Sequence, residues 1–182
     1  MTRSSIRPSP LHATGAPSDG ASRLHRQGGE TRHDAAPHAS PQAVAAHMFG
    51  NDRASRGLGM AILDAGEGRA TLTMTVRDDM LNGFDICHGG IITTLADSAF
   101  AFACNSRNVL TVAAALTVDF LGPAHVGDVL TAAATETSRG GRTGVYDVVV
   151  TNQHGTRIAL LRGRSHGLVG RSVMPNVEGE SS

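Results

Sequence analysis

A lone carboxylate stands in the middle of an apolar, alanine-rich segment of the chain. The segment runs from Gly89 to Asn105, and Asp97 is its only charged residue. An unpaired charge is costly to bury, so a carboxylate in this position is paired, solvated or functional. Asp97 is therefore either a catalytic base or nucleophile, or a polar residue that faces solvent or makes a structural hydrogen bond. The residues alone leave both interpretations open.

Two glycines open the same segment. Gly89 and Gly90 directly follow His88. Glycine lets another group approach the backbone closely, and the free N–H groups of a first helical turn lie at the positive end of the helix dipole. Such a turn can hold an anion or a developing oxyanion, although it can equally be a plain helix start.

The spacing of Gly89 and Asp97 adds a geometric prediction. They are eight positions apart, which places them about 12 Å apart along a helix axis. An oxyanion donor and an attacking group must both lie within about 3 Å of one reacting carbonyl. One chain cannot supply both to one site. If both are catalytic, Gly89 of one subunit faces Asp97 of the partner subunit across a two-fold axis, and the protein is an oligomer.

Other polar residues are weaker candidates for substrate binding. His88 follows Cys87, but adjacent side chains rarely point the right way for a Cys–His nucleophile, so a loop-orienting role is favoured for His88. Asn82 can hydrogen-bond to its own loop or to a substrate carbonyl. Arg142 and Thr143, in a glycine-rich stretch, can offer a guanidinium group and bare backbone to a phosphate. Such a stretch is more often a flexible hairpin.

Several function classes are disfavoured by composition. The chain has 182 residues, with 16 basic and 16 acidic, so it lacks the charge of a dedicated nucleic-acid binder. No apolar run approaches the roughly 20 residues that span a membrane. The histidines lack metal-ligand spacing, so we expect no metal, and neither a P-loop nor a dinucleotide motif occurs.

Cysteine content and the N-terminal sequence indicate a compartment. The chain has two cysteines, Cys87 and Cys104, and a disulfide between them is weakly supported. The N-terminus has no hydrophobic segment of the signal-peptide type. These features predict a reducing, cytoplasmic location.

The chain divides into three predicted regions. Residues 1–40 are poor in apolar side chains and predict a disordered extension, residues 41–170 form the folded domain, and residues 171–182 form a flexible tail. The domain opens with a helix that has Ser40 as N-cap and is expected to stop at Gly57 or Gly59.

Six strand-like runs surround one long apolar helix predicted over Gly89–Asn105. No βαβ alternation occurs, so the pattern predicts an α+β domain whose antiparallel sheet wraps around that helix. The strands are predicted at 60–65, 69–76, 110–121, 128–138, 144–152 and 156–168. In the second of these, Leu72, Met74 and Val76 share one face and alternate with threonines.

Longer sequence strings resemble a known family. Met80-Leu-Asn-Gly83, Cys87-His-Gly-Gly90 and the string from Leu95 to Ser106 closely resemble the phenylacetic-acid-degradation (PaaI-type) thioesterases of the hotdog-fold superfamily. The likeness leaves out both tails. It extends through Thr117–Pro123, Gly127–Thr131, Thr143–Asp147 and Arg162–His166.

The resemblance implies a dimeric or tetrameric hotdog hydrolase that acts on aryl-acetyl-CoA, in particular hydroxyphenylacetyl-CoA, in aerobic phenylacetate degradation. It implies that the Gly89 N–H polarises the thioester carbonyl and that Asp97 of the partner subunit is nucleophile or general base. It places the site at the dimer interface of a homotetramer, with Asn51 as a lining residue. It implies no metal and no organic cofactor.

Alternative functions remain at this point. One is a general medium-chain acyl-CoA thioesterase. Another is a hydratase or dehydratase, which is disfavoured because such sites pair a histidine with a carboxylate and His88 is the only histidine nearby. A third is a non-catalytic acyl-CoA-binding domain, which would not need a buried charge. Phe84, Phe100 and Phe102 either shape an aryl pocket or pack in the core.

Overall fold

One antiparallel sheet and one long helix make up most of the computed structural model, which describes residues 39–175. The six strands of the sheet lie in the order β1-β2-β4-β5-β6-β3. The strands are β1 (Ala61–Gly66), β2 (Arg69–Thr75), β3 (Thr111–Phe120), β4 (Val129–Gly140), β5 (Thr143–Thr151) and β6 (Arg157–Gly167). The helices are α1 (Pro41–Asn51), α2 (Arg53–Gly57) and α3 (Gly89–Asn105), and a 3-10 turn covers Asp78–Met80.

Helix α3 has the predicted bounds and packs against one face of the sheet. Its alanines let the backbone approach the strands, and Phe100 fills the remaining space. The Phe100 ring packs edge-on against Tyr146 of β5, with centroids 5.3 Å apart. A side chain at Gly163 of β6 would lie 2.8 Å from the Phe100 ring, so only glycine fits there. The predicted α+β architecture is therefore confirmed.

The first helix is shorter than predicted. It ends at Asn51 because Asp52 adopts an extended conformation and starts a second helix. The Asp52 carboxylate accepts a hydrogen bond from the Ser55 N–H at 2.9 Å, which is the usual N-cap arrangement. The Ser55 hydroxyl also lies 2.9 Å from the Ser98 hydroxyl and so ties α2 to α3. The prediction of one helix to Gly57 or Gly59 was wrong because Asp52 acts as the N-cap of a second helix, α2.

The strand predictions are confirmed to within one or two residues at each end. Leu72, Met74 and Val76 all face the core, as their alternation predicted. The two cysteines, Cys87 and Cys104, are buried and free, so the weakly supported disulfide is absent. No helix within residues 39–175 is long and apolar enough to cross a membrane.

Both predicted tails lie largely outside the described residues. The predicted N-terminal extension is described only at residues 39 and 40, and its boundary stays a prediction. The first residues of the predicted C-terminal tail are described. The Arg171 carbonyl accepts a hydrogen bond from the Leu110 N–H at 2.9 Å, and the Met174 N–H donates to the Asn108 side chain at 2.8 Å. Residues 171–175 thus lie beside the start of β3.

Candidate active site

A hydrogen-bonded loop delivers the chain to the start of α3. The Asn82 side chain accepts a hydrogen bond from the Phe84 N–H at 2.9 Å, and the Asn82 N–H donates to the Ile86 carbonyl at 2.8 Å. The His88 N–H donates to the Met80 carbonyl at 2.8 Å. Asn82 therefore shapes the turn that precedes α3. It lies in the same loop as His88 and the two glycines.

His88 caps helix α3. Its Nδ1 accepts a hydrogen bond from the Gly90 N–H at 2.9 Å. The Gly90 N–H is thus occupied within the loop, and a role of Gly90 in substrate binding stays a prediction. The Gly89 N–H has no acceptor among residues 39–175, so it is the free donor at the positive end of the helix.

Phe120 covers Gly89 from the end of β3. A Cβ atom added at Gly89 would lie 3.0 Å from Cζ of the Phe120 ring, so the ring tip rests against the glycine backbone. This contact gives a physical reason for glycine at this position. Sequence reasoning missed Phe120 because the two residues are far apart in the chain and nothing local marks the contact.

Asp97 lies half-buried in the middle of α3. Its carboxylate has no hydrogen-bond or ion-pair partner within the described part of the chain, and burial alone raises its pKa above the usual aspartate value. A desolvated, unpaired carboxylate is a stronger base than an ordinary one. Residues 39–175 thus give Asp97 no structural partner, and its environment is that of a base or nucleophile.

Within one chain, the predicted site residues fall into separate groups. Gly89 and Asp97 lie about 12 Å apart along α3, as the spacing predicted. Asn51 ends α1, where its side chain donates to the His47 carbonyl at 3.0 Å. Arg142 and Thr143 lie in the β4–β5 hairpin, beyond the opposite end of α3 from Gly89.

Arg142 and Thr143 line a cavity of about 500 Å³ beside the C-terminal end of α3. Its wall includes Cys104, which lies about 22 Å from Gly89 along the helix axis. Arg171 also lines the cavity. The Gly167 N–H donates to the Arg142 carbonyl at 2.7 Å, which joins the β4–β5 hairpin to the end of β6, just before Arg171 in the chain. Among the described residues, no acidic side chain lines this cavity.

Some of the arginines around the cavity are paired with a carboxylate and others are not. Arg107 forms two hydrogen bonds to Glu136, at 2.7 and 3.1 Å, and Glu136 also accepts from the Tyr146 hydroxyl at 2.7 Å. Burial raises the pKa of Glu136, but the hydrogen bonds from Arg107 and Tyr146 together outweigh it, so the net pKa is lowered. Arg142 and Arg171 have no carboxylate within ion-pair distance in the described structure.

Comparison with known proteins places this arrangement in a family. The family model "Thioesterase superfamily" matches residues 84–159, which include both Gly89 and Asp97. The acyl-coenzyme A thioesterase PaaI of Escherichia coli is 49% identical over 123 residues, which are 68% of this chain and 88% of that protein. The chain belongs to the PaaI-type thioesterases. The resemblance inferred from the sequence is confirmed.

Solved structures of thioesterases share this fold. The structure of E. coli PaaI, from the phenylacetic acid degradation operon, has a TM-score of 0.71 and 46% identity, covering 72% of this chain and 95% of that one. A hypothetical thioesterase from Streptococcus pneumoniae, solved with coenzyme A, has a TM-score of 0.60 and 26% identity, covering 62% and 88%. The sheet and α3 form the hotdog fold, and this PaaI-type chain is an enzyme that hydrolyses thioesters.

Proposed function

We propose that the chain hydrolyses aryl-acetyl-CoA thioesters, with hydroxyphenylacetyl-CoA as the expected substrate, to the free acid and CoA in phenylacetate degradation. The proposal rests mainly on one observation: the Gly89 N–H is free at a helix start, and Asp97, eight residues later, is half-buried and unpaired. The substrate class is supported by the relative named acyl-coenzyme A thioesterase, and the pathway by the operon of the E. coli relative.

The proposed reaction transfers the acyl group to water. The Gly89 N–H donates to the thioester oxygen and stabilises the negative charge that forms there. Asp97 of the partner subunit takes a proton from water as the water oxygen bonds to the carbonyl carbon. The C–S bond then breaks, and the proton goes to the departing thiolate.

The second route begins with the Asp97 carboxylate itself. Its oxygen attacks the carbonyl carbon, the thiolate leaves, and water hydrolyses the resulting mixed anhydride. A single turnover in isotopically labelled water tests this route. Label that enters the Asp97 carboxylate supports the anhydride, opened by water at the aspartyl carbonyl carbon.

The edge strand β3 supports a homodimer. It forms one end of the sheet, where its backbone hydrogen-bonding groups have no neighbouring strand. Three large apolar side chains along it are exposed: Val112 by 46%, Leu116 by 37% and Phe120 by 55%. Pairing of two β3 strands across a two-fold axis buries Val112 and Leu116, leaves Phe120 at the rim of the site, and gives each site one Gly89 and one Asp97. We further propose that two such dimers form the tetramer.

The remaining substrate contacts are also proposals. The cavity lined by Arg142 and Thr143 offers guanidinium groups without acidic neighbours, which suits the phosphates of CoA. Asn51, Asn82 and His88 are proposed to border the acyl site. A cytoplasmic location is supported by two cysteines that remain free thiols.

The first test is thiol release from phenylacetyl-, hydroxyphenylacetyl-, benzoyl- and straight-chain acyl-CoA, with the wild type and Asp97→Ala. Fast turnover that prefers hydroxyphenylacetyl-CoA and is lost in Asp97→Ala supports the proposal. A preference for straight-chain esters favours the general medium-chain thioesterase and overturns the proposed substrate. Equal activity in the variant overturns the site. Binding of CoA esters without hydrolysis by the folded wild type favours a binding domain.

A further inference from the structure

The six aromatic residues of the chain are not equivalent in their environments. Phe100 packs with Tyr146, and Phe49 lies 6.3 Å from Phe102, centroid to centroid. Phe100 and Phe102 are also 1% and 3% exposed, so neither is open to a ligand. Of the two alternatives for Phe100 and Phe102, the structure therefore favours core packing over an aryl pocket.

Phe84 and Phe120 are the two exposed aromatic side chains, and they differ in what they contact. Phe84 is 84% exposed and precedes Asp85, which has a positive φ of 58°. It therefore projects from the tip of the loop. Phe120 contacts the Gly89 backbone with its ring tip and keeps 55% of its surface exposed.

The strand β3 determines where the Phe120 ring points. Val118, two residues earlier, packs against the core, so Phe120 lies on the same face of the strand, toward α3. The pairing of Phe120 with Ala159 of β6 sets its height beside the start of the helix. The ring is thus held by the sheet and presents an apolar surface beside the Gly89 backbone.

We infer that Phe120 is a specificity-determining residue that contacts the aromatic ring of the acyl group. This inference rests on the proposed function. A carbonyl oxygen held by the Gly89 N–H lies about 3 Å from that nitrogen. In an aryl-acetyl ester, one methylene joins the carbonyl carbon to the ring. An acyl group directed toward Phe120 can therefore bring its ring within the centroid distance of about 4.5–7 Å at which aromatic pairs attract.

The interaction distinguishes aryl from alkyl substrates. A straight acyl chain gains contact area from Phe120 but not the edge-to-face attraction of two rings. An aromatic pair favours the aryl ester by about two- to tenfold in kcat/KM. The ring also excludes water from one side of the Gly89 backbone, which affects both substrate types alike.

The experiment compares kcat/KM for phenylacetyl-CoA and octanoyl-CoA in the wild type, Phe120→Leu and Phe120→Tyr. We expect Phe120→Leu to lower the aryl-to-alkyl ratio about two- to tenfold and Phe120→Tyr to retain the ratio. The ratio is taken within one preparation, so it does not depend on the fraction that is folded or dimeric. If Phe120→Leu fails to fold, Phe120→Met is measured in the same way. Leu63→Ala, an exposed apolar residue on β1, serves as the control.

The outcomes separate the inference from the proposed function. An unchanged ratio in Phe120→Leu, with both esters still hydrolysed, overturns the inference and leaves the thioesterase activity standing. A wild type that hydrolyses neither ester overturns the proposed function itself. A ratio that falls equally in Leu63→Ala also overturns the inference, because the effect then does not come from the ring.

Discussion

Gly89 and Asp97 lie on the same helix, about 12 Å apart along its axis, with the free N–H at the helix start and the unpaired carboxylate two turns later. This separation is too large for both groups to act on one carbonyl within one chain. In the proposed dimer, two antiparallel copies of α3 across a two-fold axis bring each Gly89 to the partner subunit's Asp97, and the dimer is the smallest catalytic unit.

Mixed dimers test this arrangement. When inactive Gly89→Pro and Asp97→Ala subunits are co-refolded, half of the dimers are mixed, and each mixed dimer has one site with both natural residues. We expect about a quarter of the wild-type thiol-release rate from the mixture. Each variant refolded alone is the control. No recovery in a mixture shown to contain mixed dimers would place both groups in one chain.

The Gly89 N–H can be removed without losing the helix. Gly89 is the first helical residue, where proline is well tolerated, and His88 before it already has the extended conformation that proline requires. Gly89→Pro and Gly89→Ala both add a Cβ against Phe120, but only proline lacks the N–H. We expect kcat for Gly89→Pro to fall about 10²–10³-fold below that of Gly89→Ala. Equal rates in the two variants would remove the Gly89 N–H from the mechanism.

The pH dependence of kcat/KM follows from the environment of Asp97. Both routes require the ionised carboxylate, and burial raises its pKa above the usual aspartate value. We expect kcat/KM to fall as the pH drops through this raised pKa, with a midpoint above the ordinary aspartate range. An S-acyl pantetheine ester avoids the titration of the CoA phosphate in the assay. A midpoint at or below the ordinary aspartate pKa would contradict the desolvated carboxylate.

The same environment predicts a gain in stability when the charge is removed. Because the folded pKa of Asp97 is raised, the folded state binds a proton more readily than the unfolded state, so ionised Asp97 destabilises the fold above that pKa. We expect Asp97→Asn to raise Tm by about 1–4 °C at neutral pH. The gain should vanish below the ordinary aspartate pKa, where Asp97 is protonated in both states. Asp64→Asn, at an exposed ion pair on β1, is the control. An equal rise in Tm in that variant would contradict the proposed link to the burial of Asp97.

Local signals explain most of what the sequence predicted correctly. The bounds of α3 follow from the apolar run, the two glycines and the cap at His88, all within one stretch of chain. The strands follow from alternation, as in Leu72 and Met74, and the family follows from contiguous strings around Gly89 and Asp97. The break at Asp52 was missed because one residue ended one helix and capped the next.

Relationships across the sheet were decided only by the tertiary structure. Phe120 lies 31 positions after Gly89, and the strand pairing that brings its ring to that backbone leaves no mark in either segment. Arg142 and Arg171 share a cavity because β5 pairs with β6, which places the hairpin beside the end of β6. Apolar period and cap chemistry act between near neighbours, so the sequence determined the elements and the proposed pair of Gly89 and Asp97. Register and packing act between distant segments, so only the folded chain determined which side chains surround that pair.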